Sequence, residues 1–269
     1  MKIEIVNSIS EYLHLVHRTE YFKNCWYRGL KNTEYRLVPT LYRNKKEIIS
    51  GTAPIQFRHY EFKDEELAIK EFKKTTQKKY DKFNLSDIDI LYLMQHNGIE
   101  TRLLDFTINP LVALFFSVAE TKKVSLHKEN FDDLDEFDEE CSTVFCLDPL
   151  QVNKISFGQE KIIDLTFTPF IEIKNLLTPI CIEPKNKEID NRLKAQNGRF
   201  VLFGIEVNPL DWYDIIRKDL LKVLIPNSKR DRILNQLDKK FNINYSTIYP
   251  DMEGVKFQVN KKIESKFAR

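Results

Sequence analysis

The chain has 269 residues, 42% hydrophobic and 12% aromatic, with 42 Lys+Arg against 40 Asp+Glu and a formal net charge of +2. That length fits one large domain or two small ones with a real core, and the balanced charge excludes the global basic field of a nucleic-acid packager. Only 7 Gly occur, and neither the Gly-rich dinucleotide fingerprint nor the P-loop fingerprint is present.

The four cysteines, Cys25, Cys141, Cys146 and Cys181, form no close pair and match no His spacing for zinc. They read as buried reduced thiols, and no metal is expected. No apolar run approaches ~20 residues, so no membrane span is expected. Met1-Lys2-Ile3-Glu4-Ile5 leads into no apolar signal region, so a cytoplasmic location is expected.

In chain order, Ser8 or Ser10 caps a short helix carrying Tyr12, Leu13 and Val16 on one side. Cys25-Trp26-Tyr27-Arg28-Gly29 reads as a strand ending in a glycine turn. A long helix is expected from Pro54 to about Tyr80, with charges outward. Ser86 caps the next helix, with Asp89 at N3 in the place of a capping-box Glu and Gly98 as its C′ glycine. A polar loop then holds Arg102 and Asp105. Pro110 starts a helix that is apolar all round, from Leu111 to Ala119, and so is expected to be buried.

The acidic run from Glu129 to Glu140 reads as an exposed loop, an insertion near 127–141 within a single domain of residues 1–269. Strands are expected over Ser142–Leu147, Ile162–Phe167, Pro179–Ile182, Phe200–Val207 and Leu221–Ile225. Ser228 caps an amphipathic helix to about Phe241 with Ile233, Leu234 and Leu237 inward, and a short helix follows Gly254. Helices in front and strands behind give an α+β class, a helical N-terminal half packed on a mixed or antiparallel sheet.

Five segments occur together in order: Trp26-Tyr27-Arg28-Gly29, Gln95-His96 through Asp105, Asn109-Pro110 with its apolar helix, Ala195-Gln196-Asn197-Gly198-Arg199-Phe200, and Ile248-Tyr249-Pro250-Asp251-Met252-Glu253-Gly254. This ordered set resembles the FRG domain family. Tyr27, Asn97 and Phe106 depart from the family's usual Phe, Tyr and Trp, and no charged group is lost. An aromatic–Arg–Gly triplet closing a first strand is also similar, more distantly, to the first NAD-binding motif of the ADP-ribosyltransferases. The Ser-Thr-Ser middle motif of those enzymes is not evident; Pro39-Thr40 stands nearest to it.

These resemblances imply an ADP-ribosyltransferase-like fold and an NAD-dependent effector, a bacterial toxin or phage-defence protein acting on nucleic acid or protein. Arg28 would grip the pyrophosphate, with Gly29 giving a ligand access to the backbone. Thr101 and Arg102 would complete the anion site, and Gln196 would orient the ribose, with Glu183 and Glu206 as rivals. His96 adds a titratable group.

Read from the residues alone, the alternatives stay open. Arg28 is equally a buried ion-pair partner of Asp105. Arg102 is more simply a clamp on Asp105, with Asp105 or Thr107 capping the apolar helix. The same groups also suit a non-enzymatic phosphate, nucleotide or nucleic-acid module. The basic clusters Lys70–Lys79, Lys218–Arg232 and Lys256–Lys266 read as solvated helix faces.

Overall fold

The computed structural model describes residues 1–18, 24–43, 62–80, 83–119, 140–168, 172, 176–205 and 208–267. The start of the expected long helix, the acidic run as far as residue 139, and Glu206 lie outside them.

Seven strands form one mixed sheet: β1 (Lys2–Ile5), β2 (Trp26–Leu30), β3 (Leu103–Thr107), β4 (Cys141–Leu147), β5 (Ile180–Ile182), β6 (Gly198–Leu202) and β7 (Leu221–Pro226). Their order is β1-β7-β4-β2-β3-β6-β5. β1 runs parallel to β7, and the other neighbours are antiparallel.

The described helices are α1 (Ile9–Arg18), α2 (Phe62–Tyr80), α3 (Asp87–His96), α4 (Pro110–Val118), α5 (Pro149–Phe157), α6 (Asn191–Ala195), α7 (Asp214–Asp219), α8 (Arg230–Phe241), α9 (Tyr245–Ile248) and α10 (Met252–Phe267). None is long and apolar enough to cross a membrane. The architecture is the α+β arrangement expected.

Both faces of the sheet are covered. Residues opposite one another on antiparallel strands share a face, so the register Tyr27–Cys146 and Tyr27–Thr107 fixes the sides. On one face, α1, α4 and α8 pack Tyr12, Phe115, Ile233 and Leu237 over Tyr27, Val144 and Val223. On the same face, α2 and α3 cover Leu103, Phe200 and Leu202. The opposite face buries Trp26, Leu30, Leu104, Phe106, Phe145 and Val201 under Leu37, Leu41, Val152 of α5 and Ile216 of α7. Each such aliphatic or aromatic side chain contributes roughly 1.5–3 kcal/mol by leaving water. α4 is buried on every side, with Val112 to Phe115, Ser117 and Val118 all shut from solvent, as its composition requires.

Local signals explain most boundaries. Ser8 Oγ accepts from the N–H of Glu11 and caps α1. Ser86 and Asp89 form a full capping box on α3. α3 ends in a Schellman turn: Gly98 has φ +80, its N–H donates to Gln95 O, and the N–H of Ile99 donates to Met94 O.

Several expectations are corrected. The polar loop holding Arg102 and Asp105 is largely β3, because Leu104 and Phe106 enter the core on one face and Leu103 on the other, with Asp105 left exposed between them. Ile162–Phe167 is not a strand; Ile163 makes one bridge to Ile182 and a turn follows. Ser228 does not cap α8. It sits in the 3₁₀ turn Asn227–Lys229, and the N-cap residue Lys229 makes no side-chain cap. α10 is sixteen residues long rather than short.

Candidate functional site

β2 pairs with β4 over all five of its residues, but with β3 at one position, Tyr27 opposite Thr107. Past that pair the ladder stops and Arg28 takes over. Its Nη1 donates to the backbone carbonyl of Asp105 at 2.5 Å and lies 3.7 Å from Asp105 Oδ2. Arg28 Nε is buried and has no acceptor among the described residues. The Arg28 side chain is 14% exposed and that of Asp105 is 60% exposed.

Burial pushes the Arg28 guanidinium down to about 10, with Asp105 pulling it back up and Arg43 pushing it further down. Arg43 is lowered by burial as well, and Asp105 opposes that shift. The charge of Asp105 thus opposes the effect of burial on both arginines. Arg43 Nε donates to Val38 O at 3.0 Å. No sequence motif marks Arg43; its place follows from the turn of Thr40–Tyr42 that precedes it.

The open side of Asp105 is held from α3. Gln95 Nε2 donates to Asp105 Oδ1 at 2.6 Å, and the Thr101 hydroxyl donates to Gln95 Oε1. Thr101 Oγ1 also accepts from the N–H of Leu103 at 3.2 Å. Thr101 is fully buried, so it acts through Gln95 rather than on a ligand.

Gly29 has a different role from the one expected. A Cβ there would lie 1.9 Å from Ala113 O and 2.7 Å from Ser117 N. The missing side chain lets α4 lie directly on β2. The Arg28 side chain starts out on the opposite face of β2 from the one that a side chain at position 29 would take.

Arg102 is also reassigned. It does not pair with Asp105; its Nε is 2.7 Å from Oε2 of Glu65 on α2, and both side chains are at most 1% exposed. Its N–H lies 3.4 Å from Glu65 Oε1. Burial pushes Glu65 up and Arg102 pulls it down. Such a position leaves Arg102 out of reach of an anion. The N-terminus of α4 is closed too: Asn109 Oδ1, not Asp105 or Thr107, accepts from Leu111 and Val112. Thr107 Oγ1 accepts from Asn109 N–H and donates to Gln196 O.

The remaining candidates do not converge on Arg28. His96 Nδ1 is 2.6 Å from Asp190 Oδ2, and His96 Nε2 is 4.0 Å from Asp251 Oδ2. Gln196 Nε2 donates to Ile248 O at 3.2 Å. Arg192 lies over the Tyr249 ring at 4.4 Å and pairs with Glu253 at 3.3 Å. These contacts fasten the closing segment Ile248–Gly254 onto α3 and α6. Gly254 fits because a Cβ would meet Tyr249 O at 2.0 Å. Glu183 pairs with Arg199 at 3.1 Å and is 42% exposed.

All four cysteines are free and buried. Burial pushes the thiols of Cys25, Cys146 and Cys181 up, which makes them inert packing groups. No group of three or more His, Cys, Asp or Glu suited to a metal occurs among the described residues.

No curated protein and no solved structure matches the chain. Residues 23–125 match the family model of the FRG domain, a span that includes Arg28, α3, the Gln95–Thr101–Asp105 chain and α4. The match covers about 40% of the chain, and the Arg28–Asp105 contact lies within it.

Proposed function

We propose that this chain binds a phosphate-bearing ligand of the nucleotide class at Arg28, with NAD the first candidate. The observation that carries this reading is the state of Arg28. It is a nearly buried guanidinium with one amino group spent on a backbone carbonyl and a buried Nε that has no acceptor among the described residues. An orphan donor on a buried cation costs ~1–3 kcal/mol or more. A planar fork is the arginine geometry suited to phosphate oxygens.

ADP-ribosyl transfer, as in a toxin or phage-defence effector, is the second reading. The Tyr27-Arg28-Gly29 triplet on β2 supports it. Gln196 fits it poorly, since its carboxamide holds Ile248. Glu183 is a late carboxylate that is 42% exposed, paired with Arg199. Were NAD bound, it would supply the glycosidic bond to be broken; Arg28 would hold its pyrophosphate.

Thermal-shift and calorimetric titration with NAD, ADP-ribose, ATP and a short oligonucleotide tests the reading. Stabilisation by a nucleotide that Arg28→Lys abolishes supports binding at the fork. Release of nicotinamide from NAD by the wild type adds transfer to binding. No shift with any of these ligands overturns the reading.

A further inference from the structure

We infer that Gln95 is a positioning residue that keeps Asp105 off Arg28, so that the guanidinium stays open to an anionic ligand. The inference rests on the reading of Arg28 as a phosphate-binding group. An unrestrained aspartate beside an arginine closes to ~2.7–2.9 Å and often forks onto both nitrogens. Here the carboxylate stands at 3.7 Å from Nη1, and that nitrogen donates to the backbone carbonyl instead.

The cause is on the other side of the carboxylate. Asp105 Oδ1 accepts from Gln95 at 2.6 Å. The carboxamide is itself fixed, because the buried Thr101 hydroxyl donates to its Oε1. This orients Nε2 toward Asp105. Thr101 is anchored in turn by the N–H of Leu103 at the start of β3. The result is a relay from a strand terminus through Thr101 and Gln95 to the carboxylate. It ties down the anion that, among the described residues, competes with a ligand for Arg28.

Asp105 still serves the site. Its charge favours the protonated form of Arg28, from which its carboxylate stands 3.7 Å away. Without Gln95 the same carboxylate would swing onto Arg28 and occupy the position of the ligand.

Calorimetric titration with ADP-ribose on wild type, Gln95→Ala, Thr101→Val and the double variant Gln95→Ala/Asp105→Asn tests this. Gln95→Ala and Thr101→Val should each weaken binding by roughly tenfold, the scale of one charge-assisted hydrogen bond. The double variant should regain wild-type affinity or better, which a merely structural defect would not allow. Should Gln95→Ala fail to fold by circular dichroism, Thr101→Val against Thr101→Val/Asp105→Asn carries the comparison. Unchanged affinity in the single variants, or no rescue by Asp105→Asn, overturns the role of Gln95 while leaving the Arg28 reading intact. Absence of binding by the wild type overturns both.

Discussion

Arg102 Nε and Glu65 Oε2 lie 2.7 Å apart with both side chains shut off from water. The pair joins the loop before β3 to α2, and it is the deepest ion pair among the described residues. Removing one partner leaves an uncompensated buried charge. Glu65→Ala and Arg102→Ala are each expected to lose ~3–5 kcal/mol of stability, a large share of a typical domain's total. Urea denaturation of the two single variants and of the double variant checks this; the double should lose less than the sum of the singles.

Gly29→Ala is expected to destabilise the protein by ~1–3 kcal/mol or more. The added methyl would meet the backbone of α4 at 1.9 Å, and backbone cannot swing aside as a side chain can. The defect should appear as a lowered melting temperature. Ligand affinity of the fraction that remains folded should be unchanged, because the added methyl meets α4 rather than Arg28. Loss of affinity with unchanged stability would restore the expected role of Gly29 at the ligand.

The Asp190 carboxyl has a pH signature. Burial pushes it up, but the hydrogen bond and charge of His96, with the N–H groups of Arg192 and Leu193, hold it below the usual carboxylate value. A carboxyl depressed in the folded state contributes stability above its unfolded pKa, near 3.8, and loses it as pH falls through the folded value. Asp190→Asn should therefore lower stability at neutral pH and flatten the loss of stability below about pH 4. Melting temperatures of both proteins from pH 7 to pH 3 provide the comparison.

Gln196→Ala is expected to cost ~0.5–1.5 kcal/mol, the worth of one hydrogen bond. Amide exchange should quicken over residues 248–254, which Gln196 helps to hold, with little change around Arg28. A large loss of nucleotide affinity with no change in exchange at the closing segment would return Gln196 to the ligand site.

Much of the fold is legible in local signals: Ser86 with Asp89, Gly98 after α3, and Asn109-Pro110 before an all-apolar helix. β3 is harder to read. Its charged neighbours suggest a loop; Glu65 pairs with Arg102 just before the strand, and Gln95 holds Asp105 within it. α5 carries an overlooked signal, since Asp148-Pro149 and Gly158 are an N-cap, N1 and C-cap set. The site divides in the same way. Arg28 stands out in its aromatic–Arg–Gly triplet, although β2 runs on to Leu30 and Gly29 lies within the strand rather than in a turn. Its coupling to Arg43, and the diversion of Gln196 and His96 to the closing segment, depend on contacts between residues far apart in sequence.

The account turns on Arg28 as a ligand residue. Calorimetric titration of ADP-ribose into wild type and Arg28→Lys, with melting temperatures of both apo proteins, tests it most directly. Lysine keeps a positive charge but lacks the planar fork. The account predicts saturable binding by the wild type and at least about a tenfold loss in Arg28→Lys, with the variant still folded. Equal affinity in the two proteins, or no binding by the wild type alongside a sharply lowered melting temperature in the variant, would contradict it and leave Arg28 as a clamp between β2 and β3.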